Sequence, residues 1–233
     1  DLTIISGANL DASNRNIAIG GNWIQQGTGR FMQTATTTFN GTTANQTISI
    51  ATPSTSYFGN LTISKNTGGA PQTLTALTDI AVNGNFTFTN NQATFDATNV
   101  TVKVAGNWNF SANTTFISSG STVLFNGNGA QSITNSATSP TFNNIQFSGT
   151  GTKTFSNNAI LVNGNMDITG TNVGWGGASV LTLMGNWLNT GGTGTFIPST
   201  GTVLLNGAAQ NIGAAPFYNL TTSGTVGSVK TLT

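Results

Sequence analysis

The sequence predicts an all-β parallel β-solenoid (β-helix), with coils of about 20 residues and four coils per superrepeat of about 80 residues. Three observations predict it. Gly-Asn-Trp occurs at Gly21-Asn22-Trp23 and returns at Gly106-Asn107-Trp108 and again at Gly185-Asn186-Trp187. An Asn beside an apolar run returns about once per coil, at Asn22, Asn40, Asn60, Asn85, Asn107, Asn126, Asn144, Asn165, Asn186 and Asn206. Between these markers apolar residues alternate with small or polar ones, the period of a strand with one buried face.

The long repeat carries further landmarks in a constant order. An apolar-Asn-Gly turn stands at Phe39-Asn40-Gly41, Phe125-Asn126-Gly127 and Leu205-Asn206-Gly207. A Gln with Ile two positions on follows each turn: Gln46 and Ile48, Gln131 and Ile133, Gln210 and Ile212. Then come Phe58-Gly59-Asn60-Leu61, Phe142-Asn143-Asn144-Ile145 and Phe217-Tyr218-Asn219-Leu220. The chain therefore reads as one continuous solenoid over 1–233, with superrepeats at about 1–85, 86–165 and 166–233, the last incomplete.

The strands are short and set off by Gly, Asn, Ser and Thr turns. Ile17 and Ile19 flank Ala18, Val102 and Val104 flank Lys103, and Leu181 and Leu183 flank Thr182. Lys103 marks the solvent side, so the flanking aliphatics should be core. The same phase puts Leu61, Ile63, Phe86, Phe88, Met166 and Ile168 inside. A β-sandwich also has many short strands, but only stacked coils require equivalent residues at every turn. Asn suits the turns through its tolerance of left-handed backbone, and stacked Asn amides could bond one another along the axis.

Composition narrows the function. Only 5% of the residues are charged, with no His, Cys or Glu, beside 43 Thr, 31 Asn and 30 Gly. The net charge is +1 and the six basic residues are scattered, against nucleic acid. No run approaches the length of a membrane helix. A nucleophilic triad lacks its base and a zinc site lacks its His and Cys ligands, so catalytic residues, metal and cofactor are all expected to be none. Of the five carboxylates, Asp11 and Asp96 occupy matching phrases one unit apart, too distant for a glycosidase pair and suited to Asx turns.

Strings such as Asn60-Leu61-Thr62-Ile63-Ser64 and Val82-Asn83-Gly84-Asn85-Phe86 resemble the β-helical stalks of large secreted bacterial surface proteins, the filamentous-haemagglutinin-type adhesins. The resemblance covers the whole chain and implies secretion, a right-handed parallel β-helix and an adhesive or scaffolding role. The expected function is a non-enzymatic structural segment of an extracellular filament or surface-adhesin stalk, bacterial and at the cell surface. Its expected partner is itself. Leu2-Thr3-Ile4 matches Phe86-Thr87-Phe88 and Thr231-Leu232-Thr233 matches Thr73-Leu74-Thr75, so a stretch equivalent to 76–85 would be needed to join end to start in register. The alternatives are a carbohydrate-binding module, with Trp23, Trp108, Trp175 and Trp187 as the glycan contacts, and a curli-like functional amyloid. Packing competes with glycan contact for the three periodic Trp; Trp175 has no counterpart and is expected to be exposed.

Overall fold

Trp23 lies beside Leu2 on one side and Ile48 on the other, and every other strand pairing is likewise parallel and about one coil apart. The computed structural model describes all residues except 43, 66–71, 90–91, 136–140, 157–158, 176–178, 192–193 and 225–226. It shows an all-β parallel solenoid of about 10 turns, without a helix among the described residues.

The coils have three faces, which the chain visits in rotation as far as Ala209–Ile212, after which the strand Asn219–Thr222 returns to the first face without a strand on the third. The first begins with a six-stranded sheet from Leu2–Ile4 to Thr115–Ile117 and continues as a five-stranded sheet from Thr141–Phe142 to Asn219–Thr222. The second begins with Asn9–Ser13 and Arg30–Gln33 and continues as eight strands from Ile80–Val82 to Val229–Leu232. Between these two sheets only isolated bridges, Met32 to Tyr57 and Phe58 to Val82, hold the ladder. The third face is one nine-stranded sheet from Ile17–Ile19 to Phe196–Ile197.

The strands form where the alternation predicts, because a three-faced coil buries every second residue against the other two faces. Val102 and Val104 are fully buried while Lys103 between them is half-buried and outward. Leu61, Ile63, Phe86, Phe88, Met166, Ile168, Leu181 and Leu183 are all core, as is Ile19, with Ile17 packed at its margin.

The superrepeat turns out shorter than its four expected coils by a third of a turn. Trp23 is on the first face, Trp108 on the third and Trp187 on the second. Each interval spans eleven strand positions, or three and two-thirds coils, counting the bridged segment at Tyr57 and Phe58 as one. Equivalent residues therefore do not stack on one another. They step round the solenoid by one face per unit, so Val102 stacks on Ile80 and Val123 rather than in line with Ile17 or Leu181.

The glycine before each landmark Asn is set by close approach. A Cβ on Gly106 would lie 2.4 Å from the Gly84 carbonyl oxygen, and one on Gly185 would lie 2.3 Å from that of Gly164. Backbone stacks on backbone at this corner, which leaves no room for a side chain.

Candidate functional site

The landmarks of the long repeat converge on one construction, made three times. Its apolar half is an aromatic trio. Trp23 contacts Phe31 and Phe58 at ring-centroid distances of 4.4 and 5.1 Å. Trp108 contacts Phe116 and Phe142 at 5.2 and 5.9 Å, and Trp187 contacts Phe196 and Phe217 at 4.7 and 5.1 Å. All three Trp are wholly buried. Trp175 is only 6% exposed, because it stands in register with Phe155 and so points inward, 5.1 Å from both Phe155 and Phe196.

Two expectations are corrected here. Trp23, Trp108, Trp175 and Trp187 are not glycan contacts in this fold, since rings sealed in the core present no face to a sugar, and Trp175 is not exposed. Nε1 of Trp23, Trp108 and Trp187 is buried and has no hydrogen-bond partner among the described residues.

The polar half is a clamp centred on the buried Gln of each unit. The amide of Gln131 accepts a hydrogen bond from the Gly127 N–H (2.8 Å) through Oε1 and donates through Nε2 to the carbonyls of Val104 (2.9 Å) and Gly106 one coil below. Gln46 repeats this with Gly41, Ile19 and Gly21, and Gln210 with Gly207, Leu183 and Gly185. The Asn-Gly turn, the Gly of Gly-Asn-Trp and the Gln are thus parts of one corner. A primary amide fits because it offers an acceptor and a two-hydrogen donor on one rigid plane.

A lysine completes each clamp. Lys153 stands over Gln131 in register and donates to the Gly127 carbonyl (2.5 Å). Lys230 stands over Gln210 and donates to the Gly207 carbonyl. Lys65 reaches the Gly41 and Ala44 carbonyls (3.4 and 3.2 Å) from the end of the strand Asn60–Ile63. The basic residues are therefore not all scattered: three of the six share a role. Lys65 and Lys153 have no exposed surface, and burial lowers each pKa from 10.5 to about 8. The sequence held a partial signal, in Lys153-Thr154-Phe155 and Lys230-Thr231-Leu232, each about one coil after its Gln.

Seven of the ten periodic Asn, not including Asn40, Asn126 and Asn206 of the apolar-Asn-Gly turns, tie coil to coil in a way different from amide stacking. Oδ1 of Asn60 accepts the Asn85 N–H, Asn85 accepts that of Asn107, and Asn107 that of Ser132, each at 2.8 Å. Asn144, Asn165 and Asn186 repeat the ladder to Asn211 at 2.8–2.9 Å. None of the ten periodic Asn has left-handed backbone. In the seven that form the ladder, the side chain reaches the next coil's backbone instead of closing a local turn.

The carboxylates serve similar ends. Asp11 and Asp96 form the expected Asx turns, accepting from Ser13 and Thr98, and lie on different faces. Asp1 and Asp79 accept backbone N–H groups of Asn22 and Thr101 one coil on, and Asp167 accepts from Thr190. A depression of about 310 Å³ beside Tyr57 and Met32, where the second face is only bridged, holds one carboxylate, Asp11, whose Oδ1 is already engaged. Among the described residues no group of three His, Cys, Asp or Glu gathers, and no helix is long and apolar enough to cross a membrane. No family model, curated protein or solved structure matches this chain.

Proposed function

We propose that this chain is a non-enzymatic structural segment of an extracellular bacterial filament or surface-adhesin stalk, with further coils of the same kind as its partners along the axis. One observation carries the reading. Most landmarks that the long repeat preserves hold the wall together: the Trp and Phe in the core, the Gln and Lys at the corner, and the Asn of Gly-Asn-Trp between coils. A repeat preserved for ligand contact would keep side chains that face solvent. A step of one face per unit spreads the clamps round the circumference, so that bending in any direction meets one of them. Three ladders held apart by a packed core make a rod that rises ~4.8 Å per coil, or roughly 50 Å for these turns.

The test is made on source cells and on the purified chain. Surface biotinylation of intact cells should label the protein, and negative-stain microscopy should show straight rods whose length grows by roughly 50 Å per 233 residues. Labelling only after lysis, or compact particles without an axis, would remove the stalk reading.

A further inference from the structure

Lys65 and Lys153 are sealed in the wall without a counter-ion. Lys153 lies between Gln131 below and Val173 above, and among the described residues its ammonium donates to one carbonyl, that of Gly127. Lys65 donates, among the described residues, to the carbonyls of Gly41 and Ala44. The strands and turns packed against them carry no acid, His, Arg or Tyr: Phe125 to Ile133 and Val173–Trp175 about Lys153, and Phe39 to Ile48, Gln72–Ala76 and Phe86–Phe88 about Lys65. The five carboxylates are engaged with N–H and hydroxyl groups elsewhere.

We propose that Lys65 and Lys153 form a pH-sensitive device in the solenoid wall, whose loss of protons tightens the coils around them. The charged form is the one that burial penalises, and bonds to neutral carbonyls replace the hydration of an ammonium only in part. A neutral amine keeps a donor for the same carbonyl without that penalty. Because each folded pKa lies near 8, below the ordinary 10.5, the unfolded chain binds more protons than the folded chain between those values. Stability therefore rises as pH rises through that window. The direction is opposite to that of a lysine held in an ion pair. In use, the rod would be more yielding at neutral pH and stiffer in alkaline surroundings.

The composition makes the test clean. With no His and no Cys, the only other group that ordinarily titrates near pH 8 is the α-amino group, which acetylation removes. NMR titration of the lysine side chains of the N-acetylated 1–233 chain should show two midpoints near 8, those of Lys65 and Lys153. Its melting temperature should rise on the order of 5 °C between about pH 7 and pH 9.5. The variant Lys65→Met/Lys153→Met should melt at a temperature independent of pH over the same range. Midpoints near 10.4 for every lysine would overturn the proposal. So would a flat or falling melting temperature in the parent chain, or a rise that persists in the variant. Should the double variant fail to fold, the parent's midpoints and melting slope decide the matter together.

Discussion

Gln131 and Val104 are joined across one coil by a hydrogen bond of 2.9 Å, from the side-chain Nε2 to the backbone carbonyl. The same amide also holds Gly127 and Gly106, so one buried side chain serves three backbone groups. Gln131→Leu keeps the bulk and strands those groups. Unfolding in urea should show a loss of about 3 kcal/mol, since each abandoned buried polar group costs ~1–3 kcal/mol.

Adjacent residues in one strand should respond in opposite ways to the same change. Val104 is fully buried between Val82 and Phe125, while Lys103 faces outward. Val104→Asp should cost more than about 4 kcal/mol, as an unpaired carboxylate in an apolar wall. Lys103→Asp should stay within about 0.5 kcal/mol. A soluble, fully folded Val104→Asp chain with unchanged melting would contradict the register.

The aromatic trio sets the third expectation. Trp108 packs against Phe86, Phe110, Phe116, Phe125 and Phe142. Trp108→Ala should cost about 3–5 kcal/mol by the cavity it leaves. Acrylamide should quench the fluorescence of the parent chain weakly, because all four Trp are buried. Strong quenching of any one of them would place that ring outside the core.

The Asn ladder needs an acceptor rather than an amide. Asp1 and Asp79 already fill this role toward Asn22 and Thr101, at 2.7 Å each. Asn85→Asp should therefore be tolerated at pH 7, whereas Asn85→Ala should lose about 1 kcal/mol with the bond to Asn107. Chemical denaturation of the two variants side by side distinguishes them.

Much of the wall is legible in the sequence. The phase of Val102, Lys103 and Val104, the inward Phe86 and Phe88 and the Asx turns at Asp11 and Asp96 all lie as the alternation and turn chemistry require. The clamp is half legible: Gln46, Gln131 and Gln210 stand out as periodic, but nothing in their spacing shows that they reach back to the glycine of Gly-Asn-Trp. Trp175 reads wrongly from sequence because it has no partner in the repeat. Its inward direction depends on register with Phe155, which a unit-by-unit comparison does not contain.

Residue order by itself determined the fold class, the strand phase and the three units, because period-two alternation and recurring landmarks are local properties of the chain. Tertiary structure alone decided how many turns a unit contains and which side chains meet across coils. Coils differ in length: the step from Thr202 to its partner Asn219 is far shorter than the step from Gln46 to its partner Leu74. Length along the chain therefore does not convert into a number of turns, and the one-face step per unit appears only once the strands are paired. Lys65 shows the same limit at the level of one side chain. It reaches the Gly41 carbonyl from a different strand position than Lys153 and Lys230 use for theirs, because a long flexible side chain finds its acceptor through space and leaves no fixed spacing along the chain.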